Sequence, residues 1–576
     1  MMNKDITSAL DYHEATKHSE ISLMTQRHYL DFNNRPIPFK IYTSELPMYP
    51  LPSSFSQPTV DTIASISTIP KKSDTSNEDT TRYNDRRPSR KPDVGDLAEI
   101  LFFSAGITRA IKYNSVTYYM RAASATGALY PIELYVVCKD LAPDLKAGIY
   151  HFSPADFSLT QIRSGDYRHQ LAAACAEPPM TLSSPFTIVF TSLAWRNAWK
   201  YQARSYRHWF WDSGVIVANF LATAVAMGLA TRLNMGFVDD IVNNLLCLES
   251  RKEATIAIGN VSEEEPQTSK DLLDGEKETE GKIENKIPKI PVPKIRPLSE
   301  RETSYPEIWA LHEASALYTA AEAREWINGL NYDDDTVVPF KLSIGNTPSE
   351  ALGVLDRRPI SPLNQDNWSS NIPGLGGVIL RRGSTRRFAN SPVSFSILST
   401  ILGSSTRGVP LDFLRNENLS LIDIYLICNN IENLPAGGYF FNRRKNSLEL
   451  LKLKVSREMS GYLCLGQSLF SQASAVLFLM SDLKKVLEAL GNRGYRASQF
   501  EAGIIAGKIY LAAYALGIGA SGSTFFDDAV TEFFSPHAQT KSTMIAVGIG
   551  KPAYKASSGR ILPVRLTREE LSNAKL

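Results

Sequence analysis

Three short segments of the chain carry the side chains best suited to chemistry. Residues 381–388, RRGSTRRF, place guanidinium groups and a hydroxyl on one turn, and such groups bind phosphate well. Residues 121–137, RAASATGALYPIELYVV, begin with small side chains, which let backbone N–H groups approach a flat ring. Residues 199–207, WKYQARSYR, set Lys200 beside Tyr201. Residues of these types can bind phosphate, let the backbone approach a ligand closely, and transfer protons.

Lys200 and Tyr201 offer two candidates for the proton acceptor. An ordinary tyrosine has a pKa of about 10, which is too high for ready action at neutral pH. A neighbouring cation such as Lys200 is expected to favour the phenolate, which makes Tyr201 a candidate general base. Lys200 with a depressed pKa is the other candidate.

An internal repeat defines the elements that must position these residues. Several residues recur at one constant spacing along the chain. The pairs are Tyr206 and Tyr495, Arg207 and Arg496, Gly214 and Gly503, Gly228 and Gly517, Gly259 and Gly548, and Tyr150 and Tyr439. The chain therefore contains two copies of one domain.

Each copy has the same predicted order of elements. An amphipathic helix is followed by strands, a long apolar helix and a closing strand, which predicts the α+β class. The apolar helix of one copy is expected to pack against that of the other, so that the copies form an intrachain pseudo-dimer. We divide the chain into a leader (1–74), copy one (75–261), a charged, proline-rich linker (262–300), a helical connector (301–364) and copy two (365–576).

The composition argues against several classes of protein. The 62 Lys+Arg and 60 Asp+Glu leave a net charge of +2, without the basic excess of nucleic-acid binders. The 5 cysteines and 8 histidines are scattered without metal-ligand spacing, so we predict neither a disulfide scaffold nor a metal site. The N-terminus lacks a signal-peptide core, and we expect a cytoplasmic protein. Residues 213–231 are predicted to form a buried core helix rather than a membrane span.

The repeat and the three segments together resemble the nitroreductase-like flavoprotein superfamily, and within it the SagB-type (azoline) dehydrogenases. The opening YHEATKHSE and LDFNNRPIPFKIY also resemble the leader of tandem members. The resemblance implies FMN bound at a two-fold interface and the oxidation of azolines to azoles in a ribosomally made peptide. The implied partners are that modified peptide and a cyclodehydratase complex.

The resemblance also implies roles for individual residues. In the family, the first segment holds the FMN phosphate and ribityl chain, which here implies Arg382, Ser384 and Arg386, and the loop near the flavin ring implies Ser124, Thr126 and Gly127. Lys200 and Tyr201 match the pair needed for azoline oxidation. The remaining implied cofactor-binding residues are basic: Arg82 and Arg86 in copy one, and Lys551 and Arg560 in the tail of copy two.

The motifs are distributed unequally between the copies. Copy two keeps the phosphate segment but has Ala489 and Leu490 where copy one has the Lys-Tyr pair. We therefore expect one FMN per chain, bound between the copies, with the symmetry-related site degenerate. Two alternatives remain open: an FMN oxidoreductase of this fold acting on a small molecule, and a flavin-free scaffold in a peptide-maturation complex.

Overall fold

The computed structural model describes most of both copies and much of the segments around them. The described residues are 2–25, 28–68, 91–113, 116–176, 178–263, 287–330, 354–360, 372–414, 419–555, 557–560 and 565–567. Arg82 and Arg86 lie outside the described residues.

The strands form two matching sheets and one hairpin. In chain order they are β1 Met48–Pro50, β2 Ile107–Tyr113, β3 Val116–Arg121, β4 Ile132–Cys138, β5 Gly148–Ser153, β6 Ser158–Ser164, β7 Phe186–Leu193, β8 Ala230–Asn234, β9 Glu253–Ser262, β10 Asp356–Pro359, β11 Asp423–Cys428, β12 Gly437–Asn442, β13 Ser447–Leu453, β14 Ala475–Ser481, β15 Gly519–Ser523 and β16 Ser542–Gly550. The sheet orders are β1-β6-β5-β4-β7-β9-β8 and β10-β13-β12-β11-β14-β16-β15, and every pairing within them is antiparallel.

Helices cover these sheets and join them. In chain order the α-helices are α1 Thr7–Ala15, α2 Glu20–Thr25, α3 Thr62–Ser67, α4 Val94–Ala105, α5 Arg168–Ala174, α6 Pro178–Ser183, α7 Ala194–Tyr201, α8 Ser205–Ala226, α9 Asp239–Leu245, α10 Pro306–Ala314, α11 Ala320–Ile327, α12 Leu375–Arg381, α13 Phe395–Ser405, α14 Arg457–Leu463, α15 Ser468–Gln472, α16 Leu483–Leu490, α17 Arg493–Ala515 and α18 Asp527–Phe534. The matching sheets and helices confirm the predicted α+β class and the two copies of one domain.

The apolar helices α8 and α17 cross at the centre of the molecule. A β-carbon placed on Gly214 of α8 would lie 2.6 Å from the backbone of Gly503 in α17, and one on Gly503 would lie 2.7 Å from the carbonyl oxygen of Phe210. These two glycines occupy the same position in the repeat, so the crossing lies on the pseudo-two-fold axis. The predicted intrachain pseudo-dimer is confirmed, because each copy buries its central helix against the other.

Reciprocal ion pairs reinforce this interface. Arg207 of α8 donates from Nη1 to Asp527 at 2.7 Å, and Arg496 of α17 donates from Nη1 to Asp239 at 2.7 Å. All four side chains are buried. Burial alone would raise the pKa of both carboxyl groups, but the facing arginines hold the pKa of each aspartate well below its usual range.

The leader and the connector are related by the same pseudo-two-fold symmetry as the two copies. The carbonyl of His13, in α1, accepts a hydrogen bond from Arg207 at 2.8 Å, and the carbonyl of His312, in α10, accepts one from Arg496 at 2.5 Å. These histidines lie in the sequences HEAT and HEAS, a repeat whose spacing differs from that of the main copies. The leader and the connector also supply the edge strands β1 and β10 of the two sheets.

One stretch of the described chain is long and apolar enough to cross a membrane. It runs through α7 and α8, Ala194–Ala226, and 89% of its apolar window is buried inside the fold. This burial confirms that α8 is a core helix, as predicted.

Candidate active site

Lys200 and Tyr201 lie at the carboxyl end of α7, beside the small-residue loop that follows β3. The helix ends where Gln202 adopts a left-handed conformation, with φ of 48°. Gly127 in the loop is also left-handed, with φ of 63°, and a β-carbon on it would lie 2.9 Å from Tyr201 Oη. Both the conformation and the approach of the phenol therefore require glycine at position 127.

Asp212, on the central helix α8, holds this loop in place. Its Oδ1 accepts hydrogen bonds from the backbone N–H of Thr126 at 2.8 Å and from the Thr126 hydroxyl at 2.7 Å. Its Oδ2 accepts one from Asn197 Nδ2 at 3.2 Å. Burial raises the pKa of Asp212 to about 6, although these hydrogen bonds favour the carboxylate. Asp212 was not predicted as a site residue, and the available signal was that it is the one acidic side chain of α8.

Copy two reaches this loop through Arg382, which follows α12. The guanidinium donates to the Ala122 carbonyl from Nε at 3.0 Å and from Nη2 at 2.8 Å, and also from Nη2 to the Arg121 carbonyl at 3.3 Å. Its Nη1 is buried and has no hydrogen-bond partner among the described residues. The phosphate-type segment of copy two therefore lies against the ring-type loop of copy one.

A second arginine approaches the same segment from the β2–β3 hairpin. Arg109 Nη2 donates to the carbonyls of Leu380 at 2.7 Å and Arg382 at 3.1 Å, while its Nε is buried without a hydrogen-bond partner in the described part of the chain. Burial is the main cause that lowers the pKa of Arg382, and repulsion from Arg109 adds to it. No motif pointed to Arg109, because its role depends on how the hairpin folds against copy two.

The remaining predicted residues of copy two lie around this segment. Ser384 Oγ is 3.3 Å from Tyr510 Oη. Arg386 has an exposed side chain, and its backbone N–H donates to Tyr554 Oη at 3.0 Å. The side chains of Lys551 and Arg560 are exposed. The Lys551 carbonyl accepts from Ala389, and the Arg560 N–H donates to the Thr108 carbonyl at 2.9 Å, so the tail follows the segment and the hairpin.

Ser124 lies in the loop itself. It is half-buried and lines a small cavity with Asp212 and Tyr130. The structure thus brings the loop residues, the Lys-Tyr pair and the phosphate-type segment to one place, built from both copies. Lys551 and Arg560 lie at the margin of this site, where their backbone groups form hydrogen bonds.

The electrostatics of the Lys-Tyr pair differ from expectation. Burial and the nearby charge of Asp212 raise the pKa of Tyr201, and only Arg386 opposes them. Partial burial, together with repulsion from Arg35 and Arg386, lowers the pKa of Lys200. The expectation that Lys200 favours the Tyr201 phenolate is therefore wrong. This environment favours the neutral phenol of Tyr201 and makes Lys200 easier to deprotonate than an ordinary lysine.

The residues around Arg382 fit the phosphate of FMN. The buried Arg382 Nη1 and Arg109 Nε lack partners among the described residues, and the two guanidinium groups repel each other. A phosphate would accept from both and offset that repulsion. The small side chains from Ser124 to Gly127 would let the loop backbone lie close to a flat ring. The site therefore suits a phosphorylated planar cofactor.

The symmetry-related position is closed by the connector. Helix α11 places Trp326 over α16, where Trp326 Nε1 donates to the Leu490 carbonyl at 2.9 Å. The Trp326 ring also makes an edge contact with Phe413 at 5.3 Å between centroids. Ile327 fills the space beside Gly236, where a β-carbon would lie 2.6 Å from Ile327 Cγ1. This apolar packing lies beside Leu490, which occupies the position in copy two that Tyr201 occupies in copy one.

Comparison with known proteins agrees with this architecture. The model of the nitroreductase family matches the chain twice, at residues 87–260 and 379–551. A solved structure of a provisionally named nitroreductase from Anabaena variabilis covers 95% of this chain and 99% of its own, with a TM-score of 0.68 and 24% identity. That likeness extends over both copies and shows the fold.

Curated relatives match single portions of the chain. A provisionally named nitroreductase of Methanocaldococcus jannaschii is 24% identical over 164 residues, 28% of this chain and 79% of that protein. The trifolitoxin-processing protein TfxB of Rhizobium leguminosarum bv. trifolii is 29% identical over 163 residues, 27% of this chain and 44% of its own. The microcin B17-processing protein McbC of Escherichia coli is 26% identical over 137 residues, 23% of this chain and 50% of its own. The chain thus spans about half the length of these two processing proteins.

Proposed function

The chain belongs to the nitroreductase family, and from that premise we propose that it is an FMN-dependent dehydrogenase that oxidises azolines to azoles in a ribosomally made peptide. The observation that carries the proposal is the position of Lys200 and Tyr201, which lie against the Gly127 loop where copy two contributes Arg382. The similarity to two peptide-processing proteins favours a peptide as the substrate.

The cofactor would be held by residues of both copies. Arg382, Arg109 and Ser384 would bind the phosphate and ribityl end, and the loop from Ser124 to Gly127 would face the ring. FMN, when bound, supplies the acceptor for the hydride that leaves the azoline ring. Asp212 orients the loop through Thr126, so that the backbone of the loop keeps a fixed position.

Proton transfer falls to Lys200. Oxidation of an azoline also removes a proton from the ring carbon next to the departing hydride, and a neutral amine can accept that proton. Because its surroundings lower its pKa, Lys200 has a larger neutral fraction than an ordinary lysine. Tyr201 remains a phenol and donates a hydrogen bond that orients the substrate.

One flavin per chain is part of this proposal. The symmetry-related position has Leu490 where copy one has Tyr201, and Trp326 covers Leu490. Quantifying released flavin against protein tests the stoichiometry, and a value near two per chain would contradict it.

The activity itself is tested by mass spectrometry of a thiazoline peptide incubated with the flavin-loaded protein. We expect the loss of two hydrogen atoms per ring. Lys200→Arg, which keeps the positive charge but cannot accept the proton, should abolish turnover while flavin stays bound. Tyr201→Phe should retain part of the turnover. Full activity of Lys200→Arg would contradict the proposed role of Lys200.

A second candidate is an FMN oxidoreductase acting on a small molecule, which the family match and the Methanocaldococcus relative favour. Reduction of the bound flavin by NAD(P)H, without any change in the mass of thiazoline peptides, would select it. We also propose that the azoline peptide is supplied by a cyclodehydratase complex and that the protein works in the cytoplasm.

A further inference from the structure

The ring of Tyr201 is held by contacts rather than by a hydrogen bond. Its hydroxyl makes no hydrogen bond with any residue that the structure describes, and it faces Gly127, where an added β-carbon would lie 2.9 Å from it. The imidazole of His208, on α8, packs edge-on against the Tyr201 ring, with 4.3 Å between centroids and 77° between the ring planes. Gly127 and His208 therefore both limit where the phenol can lie.

His208 is itself supported from copy two. Its ring lies 4.7 Å from that of Trp211, at an angle of 30°, and Trp211 Nε1 donates to Gln499 Oε1 of α17 at 2.6 Å. All three side chains are buried. Asp212, four residues after His208, binds the ring-type loop, so both lie on the same face of α8. A stack of buried side chains thus runs from the central helix of copy two to the ring of Tyr201.

The stack belongs to the half of the repeat that keeps the Lys-Tyr pair. Three of its members have counterparts of a different chemical type at the spacing of the repeat. These pairs are Tyr201 and Leu490, His208 and Ala497, and Gln499 and Phe210. Arg207, directly before His208, has an arginine as its counterpart. His208 therefore differs between the copies together with Tyr201, whereas the ion pairs of the shared core do not.

The imidazole of His208 contributes its shape rather than its charge. Both ring nitrogens are buried and have no hydrogen-bond partner among the described residues. Burial is the main cause that lowers the pKa of His208 well below its usual range, and repulsion from Arg204 adds to it. The ring is therefore neutral at neutral pH, and its aromatic contacts are what it provides to Tyr201.

We propose that His208 is a positioning residue, which holds the Tyr201 hydroxyl at the ring-type loop so that the hydroxyl can orient the substrate. His208 acts through Tyr201 and contacts no reacting atom. The role requires a flat ring at position 208. This inference rests on the proposed function, because it explains how the Tyr201 of that function is held in place.

The first measurement needs no substrate. Gly127→Ala is made in the flavin-loaded parent protein and in His208→Ala, and the midpoint of urea denaturation is measured. In the parent the added β-carbon meets a hydroxyl that cannot move, so the midpoint should fall. In His208→Ala the phenol can move away, so Gly127→Ala should lower the midpoint by a smaller amount. An equal shift in both backgrounds would overturn the positioning role, since the two sites would then be independent.

The second measurement is turnover of a thiazoline peptide. His208→Ala should lower kcat about tenfold with little change in KM, because a displaced hydroxyl no longer orients the bound substrate. His208→Phe keeps a flat ring and should retain most of the turnover. In Tyr201→Phe the hydroxyl is already absent, so adding His208→Ala should lower kcat no further. The matched control is His537→Ala, which removes a buried imidazole packed on Phe440 at 4.6 Å in copy two and should leave kcat unchanged.

Each contrary result has its own meaning. An unchanged kcat in His208→Ala, or an equal fractional loss in the Tyr201→Phe background, would overturn the role. A loss in His208→Phe as large as in His208→Ala would also overturn it, because the nitrogens rather than the ring would be needed. If His208→Ala does not fold, His208→Leu, which fills more of the space without a ring, takes its place in both measurements. If the midpoint shifts differ as expected but no peptide loses two hydrogen atoms, the proposed function fails and the positioning of Tyr201 stands.

Discussion

Gly127→Ala is the perturbation that most directly tests the contact between the loop and Tyr201. The native φ of 63° costs a residue with a β-carbon about 1–2 kcal/mol. The new β-carbon would also lie 2.9 Å from Tyr201 Oη, closer than an ordinary contact. Tyr201 cannot move freely, because its ring packs edge-on against His208 at 4.3 Å between centroids. Overpacking of this kind adds about 1 kcal/mol, for a total of about 2–3 kcal/mol.

A double-mutant cycle with Tyr201→Phe separates the two contributions. Removing the hydroxyl removes the close contact but not the backbone cost, so Gly127→Ala should cost only about 1–2 kcal/mol in that background. The expected coupling is about 1 kcal/mol, measured by urea denaturation with unchanged m-values. Gly228→Ala is the matched control, since Gly228 has φ of 71° and no atom within 4 Å of an added β-carbon. It should show the backbone cost and no coupling.

A coupling below about 0.3 kcal/mol would refute the reasoning, because the hydroxyl of Tyr201 would then not lie beside Gly127. Turnover provides a second measurement. A displaced Tyr201 should lower kcat by up to about a hundredfold in Gly127→Ala, whereas Gly228→Ala should leave kcat unchanged.

Three further predictions concern buried groups. Gly214→Ala should cost about 1–3 kcal/mol in urea denaturation, because α8 and α17 must separate, while the neighbouring Ser213→Ala adds no atom and should cost about 1 kcal/mol or less, for the hydrogen bond of its hydroxyl to the Phe210 carbonyl. Asp212, whose pKa burial raises from the ordinary 3.8 to about 6, binds protons more tightly when folded, so stability should fall by about 3 kcal/mol as the pH rises from about 3 to about 7. Asp212→Asn should abolish that slope, and an unchanged slope would contradict the assignment. Asp527→Asn should cost about 3–5 kcal/mol by leaving Arg207 buried without its carboxylate. Because the folded pKa of Asp527 is depressed, that stabilisation is present above about pH 4 and is lost as the pH falls below it, so acid unfolding of the parent should be steep and that of the variant shallower.

The fold could be predicted from the sequence because the repeat indicates both the helix crossing and the order of the strands. The paired glycines, Gly214 and Gly503, indicate a close helix crossing, and the flanking strands have the same order in both copies. The repeat in the leader and the connector was missed because His13 and His312 follow a different spacing. A separate comparison of HEAT with HEAS would have found it. The connector was predicted to be helical, but no pattern could say that Trp326 covers Leu490.

The site was only partly predictable for a physical reason. Motifs identify residues whose type is constrained by chemistry, and Lys200, Tyr201 and Arg382 are of that kind. Arg109 and Arg35 reach the site only because the β2–β3 hairpin and the leader fold against it, and that folding depends on contacts between residues distant in sequence. The pKa of Tyr201 depends on burial and on Asp212, and neither can be read from the adjacent Lys200.

The two halves differ most in the segments that precede their domains. Both segments begin with a helix that binds a central arginine through the HEAT or HEAS sequence. Beyond that point the leader leaves Lys200 exposed and adds Arg35, whereas the connector buries Trp326 against Leu490. The pseudo-symmetric core constrains both sides equally, because the helix crossing and the ion pairs are shared. Divergence of the peripheral segments is therefore the simplest way to open one site and close the other without disturbing the fold.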